Sequence, residues 1–453
     1  MMRAMTNLRT LYHPAMYDPA PVPSYWEATA PGDDPSWRPL EGDDSCDVAI
    51  IGGGYTGLST ALHLARDHGI DARVLEAGDR IGWGASGRNG GFCCMPATKL
   101  SVAQMTRRFG LDETKRFFAS QIEGVEFTRA LIADNDIDCD PCGDGIYEVA
   151  HRPRAFGELK EYGETLERLF GIESTLYSPG EFREIGHDST EQHGALKVSP
   201  SFALHPMKFV HGLARAAAKA GATLHPGSLV TRWLKEGDGH ILTTARGTLR
   251  AKRIVVAANG FLRERMHRDF DGRVLPVISN IVTTRPLTAT ELAAQSWKTD
   301  CPLVNTRQLL FYYRMLPDNR LMLGARGDLT GSPADGDRMR AWMTRRVGEV
   351  FPAWRDVEID HFWRGFVCIS QRLAPSAGQL PDDPSVFYGF GYHANGVNTA
   401  PWTGMQVAAM IAGKTSEADL PAVIRGLPTR FPFAGLRLKY LAAAYRWYAF
   451  KDD

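Results

Sequence analysis

The chain has 453 residues, 44% of them apolar and 23% charged, a length and mix that predict two or three ordinary globular domains. Its 52 Lys+Arg balance 52 Asp+Glu, so there is no overall field to collect nucleic acid or an anionic membrane, and no apolar run reaches the roughly 18 residues that span a bilayer. Seven cysteines, an odd number with no signal-like segment ahead of them, predict a reducing, cytoplasmic setting.

Residues 1–45 show no helical or strand period and are rich in proline (Pro19, Pro21, Pro23, Pro31, Pro35, Pro39). Tyr25, Trp26 and Trp37 argue against a disordered leader, which would be poor in aromatics, and predict an arm laid over a surface. Residues 48–51 are a β-branched run suited to a strand buried on both faces. Gly52, Gly54 and Gly57 then fall on G-x-G-x-x-G, and Leu58, Ala61, Leu62 and Ala65 recur at helical spacing. A second strand over 72–76 ends in Glu76, about 20 residues past the turn, where a carboxylate can bind a ribose and disfavours a 2′-phosphate. Strand, glycine turn, helix, strand and acid in this order predict a dinucleotide site, with the pyrophosphate at the helix N-terminus.

Gly82, Gly84, Gly87, Gly90 and Gly91 follow, a density that predicts backbone lying against a flat ligand. Residues 101–135 read as helix broken at Gly110, 145–150 as a strand and 156–170 as helix, an interruption assigned to a second, substrate-covering domain. Cys139 and Cys142 spell C-x-x-C without a second pair at zinc spacing and read as coincidence. Beyond His205-Pro206 the pattern predicts a helix over 207–220 and strands over 222–225 and 229–234. A hairpin from 241–245 and 248–250 follows, then a buried strand over 253–260 ending Ala257-Ala-Asn-Gly260. Strand candidates at 274–284, 309–316, 320–325 and 357–369, with one helix over 336–350, predict an antiparallel sheet. A strand over 386–391, a turn from His393 to Gly396 and a helix over 403–411 make a third strand-glycine-helix element, and 436–450 reads as an amphipathic aromatic helix.

These blocks resemble the D-amino-acid oxidase superfamily of FAD enzymes, and within it the glutamylputrescine oxidase group. The resemblance is carried by Ser24-Tyr25-Trp26, Gly52-Gly-Gly-Tyr-Thr-Gly57, Gly84-Ala-Ser-Gly-Arg-Asn-Gly-Gly91, His205-Pro206, Ala257-Ala-Asn-Gly260, Tyr312-Tyr-Arg314, Trp363-Arg-Gly365, Arg372-Leu-Ala-Pro375 and Gly391-Tyr-His-Ala-Asn-Gly396. It implies an α/β fold in which a Rossmann-like FAD domain of the glutathione-reductase type (46–100, 200–265 and 375–415) is interleaved with an antiparallel-sheet substrate domain (101–199 and 266–374). An arm (1–45) and a helical tail (416–453) flank them. FAD would lie with its adenosine toward the turn from Gly52 to Gly57 (Gly52, Gly54, Tyr55, Thr56, Gly57) and Glu76. Its flavin would lie between the loop from Ser86 to Gly91 (Ser86, Arg88, Asn89, Gly90, Gly91) and the turn from Gly391 to Asn398 (His393, Asn395, Gly396, Val397, Asn398). Ala77, Gly84, Ala85, Val230, Ala258, Asn259, Gly260 and Arg372 complete the cofactor set.

The implied activity is oxidation of a small amine or amino acid by hydride transfer from the α-carbon to flavin N5, giving an imine, with oxygen reduced to hydrogen peroxide. The alternatives are a dehydrogenase of the same fold passing electrons to a carrier protein, and a flavin-binding protein without catalysis. Such chemistry needs orientation more than acid and base, since the cofactor carries the hard step. The candidates for the substrate wall are Tyr312 and Arg314 on one face of a strand, Tyr313 on the other, and His393 at the glycine turn; His205 reads as structural. Sarcosine oxidases hold a substrate carboxylate with a lysine where this chain has Asn398, and place an oxygen-activating lysine where it has Met322. They also join a cysteine covalently to the flavin at what looks like Cys368, but the only cations to name for that thiol are Arg364 and Arg372, which the sequence does not place beside it, and noncovalent FAD is expected.

Overall fold

The computed structural model describes residues 8–32, 34 and 36–452; Pro35, one of the leader's prolines, lies outside them. Two eight-stranded sheets organise the chain. The first carries four parallel strands in the order Gly247–Val256, Gly42–Ile51, Ala72–Leu75, Thr223–His225, with Asp383–Phe390 adding in parallel beyond Gly247–Val256 and Ser376–Leu380 antiparallel at that edge. Val48, Ala49 and Ile50 are fully buried, as a strand covered on both faces requires. Helices Tyr55–His68, Pro206–Lys219 and Gly396–Ile411 pack together beside this sheet, the glycine-turn helix in contact with both of the others.

The second sheet runs Ile359–Ser370, Val274–Thr284, Leu321–Arg326, Phe311–Met315, Leu303–Asn305, Ile146–Val149, Ala195–Val198, Ser174–Tyr177. It is antiparallel as expected except where Leu303–Asn305, a strand the sequence pattern does not mark, pairs in parallel with Ile146–Val149. That short strand joins the two runs of residues assigned to the substrate-covering side.

Several boundaries differ from expectation for physical reasons. The strand expected at 248–250 and the one at 253–260 are a single strand, Gly247–Val256, whose first half pairs with the hairpin and whose second half pairs with Asp383–Phe390. The strand expected over 229–234 is Arg232–Glu236, which leaves Leu229 and Val230 outside regular structure. Helix Gly396–Ile411 starts seven residues before the expected 403 and runs through Pro401; a proline removes one backbone bond, and packing of this buried helix against Tyr55–His68 outweighs that loss.

The arm is docked, and not without regular structure as its sequence implied. Ser24 caps a short helix, Tyr25–Thr29, and Gly42 already opens the leading strand. Trp26 is 1% exposed and donates its Nε1–H to Asn89 O at 2.9 Å, so the leader's aromatic pair braces the glycine-rich loop. The last helix, Arg437–Asp452, is not the amphipathic element expected: it buries only Arg437, Leu441 and Asp452 and leaves Trp447 and Phe450 exposed. No helix of the described residues is long and apolar enough to cross a membrane.

Candidate functional site

A cavity with about 1710 Å³ of empty space, its open mouth included, lies between the two sheets. It begins at the carboxyl ends of the parallel strands, at Ile51, Leu75 and Ala257, where open α/β sheets bind ligands. It reaches the face of the second sheet at Ser279, Tyr312, Arg326, Gly365 and Val367.

The first end is built by the G-x-G-x-x-G turn. Gly57 sits so close under the preceding strand that an added Cβ would lie 2.0 Å from Gly52 O, so only hydrogen fits. This contact seats the helix, and Gly52, Gly54, Tyr55 and Thr56 consequently line the cavity near the positive end of its dipole. Glu76 and Ala77 line it beside them. The Glu76 carboxylate accepts Gly53 N–H at 2.8 Å and Gly78 N–H at 2.9 Å, although burial pushes its pKa up. It therefore fixes both neighbouring turns as well as offering remaining lone pairs to a ligand. Val230 and Leu229, freed from the strand, close this end.

The middle is the loop from Gly84 to Gly91. Gly84, Ala85, Ser86, Arg88, Asn89 and Gly90 line the cavity. Ser86 Oγ accepts Tyr55 N–H at 3.0 Å, and Asn89 donates to Ala85 O and Ser86 O while accepting Gly91 N–H at 2.7 Å, so the loop is locked onto itself and onto the glycine turn. Arg88 donates Nε–H to Trp83 O at 2.7 Å, its guanidinium stacks 4.5 Å from the Trp83 ring, and burial lowers its pKa to about 10. Its Nη2 is buried without a partner. Gly57 and Gly91 act behind the wall, Gly91 because its Cβ would strike Leu204 O at 2.0 Å.

At the far end Tyr312 lies over Gly324, where any side chain would collide with its ring at 2.0 Å, and its hydroxyl lies 2.9 Å from Ser279 Oγ. Burial raises the phenol to about 12, so it stays protonated. His393 and Ala394 take left-handed backbone, φ +52° and +86°, at a cost of about 1–2 kcal/mol each, and this turn brings His393 to the cavity. Burial first, then the charges of Lys99 and Arg326, push His393 down to about 3. The imidazole is neutral at ordinary pH; its Nε2 accepts Ser370 N–H at 3.4 Å and its Nδ1 is buried without a partner. Asn395, Gly396, Val397 and Ala400 put the N-terminal end of helix Gly396–Ile411 on the cavity.

Several expected site residues lie elsewhere. Tyr313 points to the opposite face of its strand, in an aromatic cluster with Trp297 and Phe351, its hydroxyl 3.1 Å from His187 Nε2. Arg314 shares the Tyr312 face but is not on the cavity: it donates to Leu204 O at 2.7 Å and to Cys142 Sγ at 3.7 Å, and stacks 5.4 Å from Trp26. Arg372 donates to Arg425 O and Leu427 O, tying down the tail. Asn398 turns to Gln121 O on helix Leu111–Asp134. Ala258 and Asn259 line the cavity, whereas Gly260 lies behind them against Phe366. Met322 is fully buried, and His205 caps helix Pro206–Lys219.

Lys99 and Arg326 are cavity residues that sequence reasoning passed over. Lys99 lies in irregular chain with no period to mark it, and Arg326 ends a strand whose alternation predicts a face but not what that face meets. Lys99 is open to the cavity yet walled in by protein; that enclosure, with Arg326 nearby, lowers it to about 7.

A ligand with a pyrophosphate, a ribose and a flat ring fits these residues. The turn admits no Cβ at Gly57, two helix N-termini open onto one cavity, and Arg88 Nη2 and His393 Nδ1 are buried donors awaiting acceptors. Comparison with known proteins agrees. The family described as FAD dependent oxidoreductase, DAO, matches residues 47–410. Gamma-glutamylputrescine oxidoreductase of Escherichia coli is 31% identical over 412 residues, which are 90% of this chain and 93% of that one. Glycine oxidase of Geobacillus kaustophilus is 26% identical over 83% of this chain and 95% of its own. The crystal structure of a glycine oxidase from that organism superposes with a TM-score of 0.68 at 22% identity, covering 84% of this chain and 99% of that one. The glycine turn, the buried acid beside it and the cavity joining them to a second sheet thus belong to a chain of the DAO family of FAD-dependent oxidoreductases.

Proposed function

We propose that the protein oxidises a small amine at the carbon bearing nitrogen, releases the imine, and returns the electrons to oxygen. The observation that carries this reading is one continuous cavity joining the dinucleotide turn to a polar wall of Tyr312, Ser279 and His393. Bound FAD would supply at that end the acceptor for one hydride, the two electrons and single proton that leave the carbon bearing nitrogen. The chain's own part is orientation. Tyr312 holds its hydroxyl proton and can donate it or accept from an amine, while His393, kept neutral by burial, neither repels a cationic amine nor competes for its proton. The named relative in Escherichia coli is an oxidoreductase of gamma-glutamylputrescine, which supports an amine at the reacting end.

Anaerobic mixing of the yellow protein with polyamines, γ-glutamylated amines, N-methyl amino acids and D- and L-amino acids should bleach the flavin with at least one class. Tyr312→Phe should slow that bleaching by roughly tenfold, the value of one lost hydrogen bond of about 1.4 kcal/mol in the transition state. No bleaching with any class would overturn the reading, and fast decay of the reduced flavin in air would support oxygen over a carrier protein.

On this reading FAD is held without a covalent bond. Cys368 lines the cavity, but burial raises its thiol to about 12, and attack on a flavin methyl needs the thiolate. Acid precipitation should leave all yellow colour in the supernatant; colour retained in the pellet and lost in Cys368→Ala would show the opposite.

A further inference from the structure

We propose that Arg326 and Lys99 form an anion subsite that takes the carboxylate of a substrate whose other end presents the amine. The inference rests on the amine oxidation proposed above and narrows its substrate class.

Arg326 and Lys99, a lysine lowered to about 7 that an entering anion would hold protonated, reach the cavity from different elements. Arg326 ends strand Leu321–Arg326 and pairs across the sheet with Ser279, the residue whose hydroxyl meets Tyr312, so Arg326 and the Tyr312 hydroxyl border one patch. Lys99 comes from the chain following the glycine-rich loop and is close enough for its charge to act on Arg326 and His393. Neither has a carboxylate within 4.0 Å among the described residues, and Arg326 Nη2 is buried without a hydrogen-bond partner. Glu148, an acid whose charge acts on Lys99, does not line the cavity, and burial raises it to about 7.

Enclosed positive charge without a counter-ion is costly, and the cost falls when an anion enters. Arg supplies a planar fork suited to a carboxylate and Lys a point charge beside it. The same pair repels a substrate that is cationic at both ends, so an unmodified diamine is disfavoured and an amine with a carboxylate on its far end is favoured. Asn398 is turned toward helix Leu111–Asp134, so the position that holds a lysine in sarcosine oxidases contributes nothing to this patch.

Butyrate, a carboxylate with no amine to oxidise, tests the subsite without turnover. Titrated into the FAD-loaded protein and followed by the flavin difference spectrum and by calorimetry, it should bind and compete with the bleaching amine. Arg326→Gln and Lys99→Gln should each weaken it by roughly tenfold or more, and Arg326→Lys should keep part of the affinity. If Arg326→Gln does not fold, Lys99→Gln, on irregular chain facing the cavity, decides alone. Absence of butyrate binding at tens of millimolar, or equal binding by wild type and Lys99→Gln, would overturn the subsite. Butyrate binding that is lost in the variants, in a protein that no amine bleaches, would keep the subsite and reject the amine reaction. Bleaching by amines without butyrate binding would do the reverse.

Discussion

Gly57→Ala is expected to give a folded but colourless protein. The added methyl would sit 2.0 Å from Gly52 O and 3.1 Å from Ile50 Cγ2, and the first of these is backbone that no rotamer change can move aside. The helix must shift outward, carrying Gly54, Tyr55 and Thr56 away from the cavity they line. Overpacking of this kind costs about 1–3 kcal/mol in stability, but the loss in FAD affinity is larger because every contact at the helix N-terminus moves together. Gly54→Ala perturbs the turn differently: its methyl would meet Ser86 Oγ at 2.7 Å, a hydroxyl that can rotate away at the expense of the bond it accepts from Tyr55 N–H, so the helix keeps its seat and any loss of FAD comes from the methyl standing on the cavity wall where the pyrophosphate approaches. The ratio of flavin to protein absorbance after gel filtration reads both. Full FAD content in Gly57→Ala would refute the helix-seating role.

The second large effect belongs to Glu76→Ala. On sequence grounds the loss was that of ribose hydrogen bonds alone, whereas the structure adds two buried backbone donors, Gly53 N–H and Gly78 N–H, which the substitution would leave without their acceptor. Each orphaned donor costs about 1–3 kcal/mol, so FAD affinity and thermal stability of the apoprotein should both fall. Glu76→Gln should lie between, because its amide keeps one acceptor and turns an N–H toward the other donor. FAD titration by flavin fluorescence and apoprotein melting measure the two effects separately. Unchanged affinity in Glu76→Ala would remove Glu76 from the cofactor site.

What the chain states locally, it states clearly. The strand before Gly52, the helix after Gly57 and the acid at Glu76 are coupled within about 30 residues by turn sterics, apolar period and strand length, so that unit is legible without the rest of the protein. Strand Val274–Thr284 reads as clearly because every one of its residues is buried. Alternation likewise separates Tyr312 from Tyr313, since neighbouring strand residues face opposite sides.

Tertiary structure decided the rest, because a side chain's surroundings come from elements far away in sequence. Tyr312 and Arg314 share a face, yet Gly324 opens room for the tyrosine beside the cavity while Leu204 O and the Trp26 ring capture the arginine. Arg372 stands in a family motif but is claimed by carbonyls more than fifty residues on. Lys99 and Arg326 meet only because a loop beside the dinucleotide fold and a strand of the second sheet close on one cavity. Period and turn chemistry are carried by neighbouring residues and can be read along the chain. The field at a cavity wall sums charges from separate elements, and only the folded arrangement determines it.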